Sequence, residues 1–190
     1  MLCLLMPMII LLDKIYNYFC YIAGARYAFT DKKIYVYRRN EQSVSNTYRK
    51  DGDKDWMRIA QDLQDKIDSL NYEKKQYSQD EIENYESIVA WTIYFAAFFD
   101  GKMEYEYSTG KIRTVINLLK RYASYDLTKK YLKNPLRYTK KIPALSYKIM
   151  LGGFAFLMKC NMYVLLSLGI KLLVDWHIDE RLSDTGRKED

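Results

Sequence analysis

The run from residue 88 to residue 99 is apolar on every side of a helix, and it constrains the fold more than any other feature of the sequence. Ser78 followed by Glu81 has the spacing of a capping box, which predicts that the helix begins there. Asp100-Gly101 is a turn signal and predicts its end. A helix without a polar face has to be covered on all sides, so the sequence predicts that it lies centrally in the core or is covered by partners.

Apolar side chains at three- and four-residue spacing predict further helices. Pro143 fits the first turn of the last of them, and Gly152-Gly153 is expected to kink it. Asn134-Pro135 ends a shorter helical segment. The predicted helices cover residues 7–23, 56–75, 82–99, 112–123 and 143–173, with a turn or short helix over 127–132. Three of the helices (7–23, 82–99 and 143–173) are expected to form the core.

Two regions have the character of strands. Residues 26–39 contain two runs rich in Tyr, Phe, Ile and Val on either side of Asp31-Lys32, which predicts a β-hairpin. Residues 103–114, interrupted by a Ser-Thr-Gly turn, fit either a second short hairpin or a turn that leads into a helix. The predicted fold class is therefore mainly α, with about five helices in a single domain over residues 1–182 and a polar tail over 183–190.

Composition excludes several classes of protein. The 190 residues are 49% hydrophobic and 28% charged, which is typical of a globular chain with a proper core. The three cysteines have no CxxC spacing, which argues against a disulfide framework and for a reducing, cytoplasmic or virion-associated location. The lone His177 cannot anchor a histidine-rich metal site. No P-loop, GxSxG, HExxH or Rossmann glycine pattern occurs, so we expect no metal, no cofactor and no enzymatic activity.

Two acidic groups keep a catalytic alternative open. Glu104 and Glu106 would point to the same side of a strand, beside Asp100, and carboxylates in that arrangement can hold Mg²⁺ in a nuclease. An exposed hairpin edge is the favoured interpretation of these residues. The alternation of Asp175, His177 and Asp179 also resembles the spacing of metal ligands, but it follows a helix end, where charged groups usually face water.

Charge is strongly segregated along the chain. Residues 111–148, here called the basic segment, contain eleven Lys or Arg and a single acid, Asp126. Residues 51–86 contain eleven Asp or Glu and five Lys or Arg. Such asymmetry is typical of head-to-tail assembly or of binding to an anionic partner. The cations expected to bind that partner are Lys120, Arg121, Lys129, Lys130, Lys133, Arg137, Lys140 and Lys141.

Tyrosines are interleaved with these cations. Tyr122, Tyr125, Tyr131 and Tyr138 are the predicted aromatic support, because tyrosine rings can stack on bases while lysine and arginine neutralise phosphates. The same pattern also arises on solvated surface helices whose charge is balanced by the protein's own acidic helix. Nucleic-acid binding is therefore an alternative to a protein partner.

The stretch from residue 149 to residue 170 is long enough to span a bilayer and follows basic residues, which leaves a membrane protein or an anionic-membrane partner as a third alternative. Lys159 and Asn161 interrupt it. Lys148 and Lys159 are nearly three helical turns apart and share one face. A single polar stripe favours a helix that is buried and touches solvent on one side.

Together these features predict a non-enzymatic interaction or assembly protein. It is expected to form homo-oligomers or to bind an acidic protein through the basic segment, since the apolar helices present more apolar surface than a small monomer needs. The acid-rich helix of a neighbouring copy is a natural partner for that segment. The composition is associated with structural or accessory factors encoded by viruses or mobile elements.

Overall fold

The computed structural model describes residues 48–70, 77–108, 111–142 and 145–176, and these form seven helices. In chain order they are α1 (Gly52–Leu70), α2 (Gln79–Tyr107), α3 (Ile112–Ser124), α4 (Asp126–Leu132), α5 (Pro135–Thr139), α6 (Leu145–Lys159) and α7 (Tyr163–Asp175). The mainly α class is confirmed. The predicted helix at 7–23, the predicted hairpin at 26–39 and the predicted tail at 183–190 lie outside the described residues.

Helix α2 is the centre of this part of the chain. It packs against α1, α3, α5, α6 and α7. The predicted capping box is present: the Ser78 hydroxyl accepts from the Glu81 backbone N–H at 3.3 Å, and the Glu81 carboxylate accepts from the Ser78 N–H at 2.8 Å. Its middle third is buried among the neighbouring helices, as the apolar run predicts; the buried residues there include Val89, Ala90, Ile93, Tyr94, Ala96 and Ala97.

The predicted end of α2 at Asp100-Gly101 is wrong, and so is the second hairpin at 103–114. The helix continues to Tyr107, and residues 112–114 open α3. Gly101 is buried, and a Cβ added there would lie 2.8 Å from Ile170 Cδ1. The glycine therefore serves close packing of α2 against α7 and not a helix stop.

The predicted single helix over 143–173 is divided into α6 and α7, and the break lies at 160–162 and not at Gly152-Gly153. Asn161 has a left-handed φ of 58°. The Met162 N–H donates to Leu157 O at 2.9 Å and the Asn161 N–H to Met158 O at 3.0 Å. This is the hydrogen-bond pattern of a Schellman cap, and asparagine is one of the few residues other than glycine that tolerate its left-handed position.

The first of the two glycines, Gly152, is also explained by packing. It is buried in an unbroken part of α6, and a Cβ there would lie 3.2 Å from Thr139 Oγ1. The absence of a side chain lets α5 lie close against α6.

Candidate functional site

Four cations of the basic segment are paired with acids of α2. Arg137 and Lys140 both lie close to Glu83, at 3.2 and 3.5 Å, and Lys141 lies 2.7 Å from Asp80. Lys130 lies 3.5 Å from Glu86, one helical turn further along α2. These contacts form an ionic seam between the first turns of α2 and the α4–α5 region.

The pKa values of the two acids at the start of the seam reflect this pairing. The hydrogen bond and the charge of Lys141 lower the pKa of the Asp80 carboxyl. Partial burial raises the pKa of Glu83, but the hydrogen bond from Arg137 and the positive charges of Lys140 and Arg137 outweigh it and lower the pKa. Both carboxylates are therefore held in the ionised form that the seam requires.

Two further cations are also paired within the chain. Arg121 lies 3.1 Å from the buried Asp53, and Lys129 lies 2.9 Å from Asp126 in its own helix. Only Lys120 and Lys133, of the eight predicted partner-binding cations, make no ion pair with another described residue. Five of the eight predicted cations therefore pair with acids of residues 51–86 inside one chain.

Three of the four predicted aromatic residues lie in the core. Tyr122 and Tyr131 are fully buried, and Tyr138 is 7% exposed. The Tyr131 hydroxyl donates to the Gln64 side chain, and its ring lies edge-on to that of Tyr138 with the centroids 4.9 Å apart. Rings buried in this way are not available to stack on bases.

Tyr125 is the fourth of these residues and lies at the surface of a buried polar cluster. Its hydroxyl donates to Asp53 Oδ2 at 3.0 Å. The cluster also contains Asp100, which accepts from the Tyr122 hydroxyl at 2.5 Å and from Trp56 Nε1 at 3.2 Å. Burial raises the pKa of Asp100 to about 6, although the bonds from Tyr122 and Trp56 act in the opposite direction.

The cluster joins α1, α2 and α3 through hydrogen bonds. Both oxygens of Asp100 accept from neutral donors, and the nearby cation Arg121 is paired with Asp53. Burial and the neighbouring Asp100 carboxylate raise the pKa of the Tyr122 hydroxyl well above its ordinary value. The arrangement therefore fixes three helices in place and exposes no activated nucleophile.

The alternative nuclease site does not assemble as the sequence suggested. Asp100, Glu104 and Glu106 lie on a helix and not on a strand, so Glu104 and Glu106 do not share a side. Glu104 accepts from the Tyr48 hydroxyl at 2.6 Å and from Ser108 Oγ at 2.6 Å. Burial and the neighbouring Glu104 raise the pKa of Tyr48 to about 12.

Among residues 48–70, 77–108, 111–142 and 145–176, no group of three or more His, Cys, Asp or Glu side chains could hold a metal ion. Asp175 binds the Lys171 ammonium and accepts from the Tyr105 hydroxyl. The other two members of the second acidic group, His177 and Asp179, lie outside the described residues.

The feature that residue-by-residue sequence reasoning missed is an exposed apolar surface on α6 and α7. We call it the α6–α7 face and define it by Leu145, Ile149, Gly153, Phe156, Val164, Leu165, Leu168, Gly169 and Leu172, with Met162 and Trp176 at its ends. The large side chains of this face are between 40% and 68% exposed. Their buried counterparts, such as Phe154, Met158, Leu166 and Ile170, face the core instead.

None of the residues that define the α6–α7 face is charged, but the Lys171–Asp175 ion pair lies beside Leu168 and Leu172 on α7. Lys159 turns away from the face and donates to Lys133 O at 2.8 Å, and Lys171 is occupied by Asp175 and Tyr105. The sequence did signal an excess of apolar surface, because three apolar helices exceed what a small core needs. It could not show which side of the 143–173 region stays outside, since that depends on which side packs against α2.

No helix in the described part of the chain has the length and apolar character needed to cross a membrane. Comparisons with protein-family models, with curated proteins and with solved structures found no match for this chain.

Proposed function

We propose that this chain is a non-enzymatic assembly protein that self-associates through the α6–α7 face. The observation that supports the proposal is the exposure of large apolar side chains on two adjacent helices, beside which Lys171 and Asp175 are paired with each other. Helices α6 and α7 touch each other and both pack on α2, so their outward sides are neighbours on one side of the described helices.

The size of the face supports a stable contact. Nine large apolar side chains that are roughly half exposed contribute on the order of 100 Å² each, or roughly 900 Å² together. The largest apolar patch of a typical monomer is only about 300–600 Å². A standard stable interface buries about 800 Å² on each partner, which the α6–α7 face can supply.

A second copy of the chain is the partner that fits this face. In a two-fold symmetric contact the same surface meets itself, so any charge on it would lie near an identical charge. The residues that define the α6–α7 face carry no charge, and the adjacent Lys171 and Asp175 neutralise each other, so the face brings no net charge against its own copy. Homodimer interfaces are also more apolar than contacts between transient partners, as this face is.

The proposed assembly contact lies on the α6–α7 face and not in the basic segment. Six of its eight predicted binding cations are already paired within the chain, and the acid-rich side of α2 occupies four of them. An anionic partner such as nucleic acid would have to compete for these cations or rely on Lys120 and Lys133.

Sedimentation velocity over a wide range of protein concentration, at low and high salt, tests the proposal. The wild type is expected to dimerise at both salt concentrations, because an apolar contact is not screened. Leu165→Glu should weaken the dimer by at least roughly tenfold, since the contact would bury an unpaired charge. Asn117→Glu, on the exposed side of α3, adds the same charge elsewhere and should dimerise as the wild type does.

A wild type that stays monomeric at every concentration, or a Leu165→Glu variant that dimerises normally, would contradict the proposal. Absorbance at 260 nm during the same runs tests the alternative. Nucleic acid that sediments with the protein, and that is lost in Lys120→Glu and Lys133→Glu variants, would place function in the basic segment instead.

A further inference from the structure

Two glycines in the α6–α7 face have no packing role among the described residues. Gly153 and Gly169 are exposed, and a Cβ added at either would meet no atom within 4 Å. Gly101 and Gly152 differ, because added Cβ atoms there would lie 2.8 and 3.2 Å from packed neighbours. Packing inside the chain therefore explains the buried pair and leaves the exposed pair unexplained.

Backbone conformation does not explain the exposed pair either. Gly153 lies in the interior of α6 and Gly169 in the interior of α7, and neither has a left-handed φ. Glycine is the least favourable residue for a helix interior apart from proline. An alanine at either position would favour the helix and would disturb no neighbour among the described residues.

Each glycine lies between two large apolar side chains on the same side of its helix. In α6 the large residues are Ile149, four positions before Gly153, and Phe156, three positions after it. In α7 the corresponding residues around Gly169 are Leu165 and Leu172. Residues at these spacings are neighbours on a helix surface, so each helix presents a notch that is flanked by two ridges.

We infer that Gly153 and Gly169 are the points at which side chains or helices of a second copy lie directly on the backbone of α6 and α7. This inference rests on the proposed self-association and specifies how the contact is made. A notch without a Cβ lets a ridge of the partner approach the helix axis closely, and ridges that fit grooves set how two helices cross. The unfavourable glycines are then required only in the assembled state.

Leucine substitutions separate this contact from a merely apolar surface, because the two alternatives predict opposite signs. Gly153→Leu or Gly169→Leu enlarges the apolar area, so a featureless apolar contact would become tighter. A contact that needs the notches would be blocked instead, and the dimer dissociation constant should rise at least tenfold. Gly153→Ala and Gly169→Ala should weaken the dimer in the same direction by a smaller factor, while the unfolding midpoint of the dissociated protein stays equal or rises.

Asn117→Leu is the matched control, since it adds the same side chain to an exposed position outside the α6–α7 face. Far-UV circular dichroism verifies that each variant folds. Where a leucine variant does not fold, the alanine variant at the same position replaces it in the dimerisation measurement. Glycine variants that dimerise as tightly as the wild type, or more tightly, would overturn the inference and leave the proposed function intact. A wild type that does not dimerise, or a dimer insensitive to Leu165→Glu, would remove the proposed function and the inference together.

Discussion

The Asp100 carboxyl gives a quantitative test of the buried polar cluster through the replacement Asp100→Asn. Burial raises the pKa of this group from 3.8 to about 6. Because the folded pKa exceeds the unfolded one, protonation stabilises the fold: the contribution is fully present below pH 3.8 and is lost as the pH rises through about 6. This difference in pKa lowers the free energy of unfolding at neutral pH by about 3 kcal/mol.

The measurable part of this effect lies between pH 8 and pH 5. Linkage with these pKa values gives a gain in unfolding free energy on the order of 1 kcal/mol as the wild type is brought from pH 8 to pH 5. Asparagine does not titrate, and its amide has about the same shape as the carboxyl. The Asp100→Asn variant should therefore lack this gain and should be more stable than the wild type at pH 8.

Urea denaturation followed by circular dichroism, at constant ionic strength and at both pH values, measures the effect. Both proteins carry Leu165→Glu so that self-association does not contribute to the free energy. Titratable groups common to both proteins cancel when the pH-dependent change of the variant is subtracted from that of the wild type. A difference near zero, or a wild type that loses stability relative to the variant as the pH falls, would refute the reasoning about Asp100.

Three other substitutions test single contacts by the same denaturation assay. Tyr131→Phe removes the hydroxyl that donates to the Gln64 side chain in the core, and it should lower the unfolding free energy by about 1–3 kcal/mol. An unchanged unfolding free energy would show that this hydrogen bond is not made. Asn161→Val places a β-branched residue at a left-handed φ and should destabilise the chain by about 1–2 kcal/mol, while Asn161→Gly should be tolerated. Ser78→Ala removes one half of the capping box and should destabilise α2 by about 1 kcal/mol; an unchanged midpoint would show that the cap is not needed.

The sequence predicted those elements of the fold that depend on local chemistry. The start of α2 follows from Ser78 and Glu81, and the helix at 112–123 follows from an unbroken apolar stripe that the structure extends by one residue. Pro135 ends one helical segment and opens the next, as its missing N–H requires. Each of these signals acts within one or two turns of the chain.

The predictions that failed depended on contacts between distant residues. Asp100 and Gly101 have the composition of a turn, but Trp56, Tyr122 and Ile170 make the same positions suitable for a packed helix interior. The sequence also predicts a kink at Gly152-Gly153, but α6 continues through these glycines and ends where Asn161 adopts a left-handed conformation.

The surroundings of the predicted cation site also depend on contacts between distant residues. Cations close together in sequence suggested a binding surface, but Glu83, 54 residues from Arg137, lies against them in the fold. A single sequence gives the charge of each segment but not the distance between segments. The apolar excess of the 143–173 region was visible in the sequence, whereas the side left in solvent was fixed only by packing on α2.

A helix that is apolar around its whole circumference has no preferred neighbour, because any apolar helix can pack on it at any rotation. The polar contacts of α2 remove this degeneracy. Near the start of α2, Glu83 pairs with Arg137 and Lys140 of the α4–α5 region. Further along α2, Asp100 accepts hydrogen bonds from Trp56 of α1 and from Tyr122 of α3. These few bonds identify which helix belongs on which side, so that one arrangement is separated in energy from the many compact alternatives.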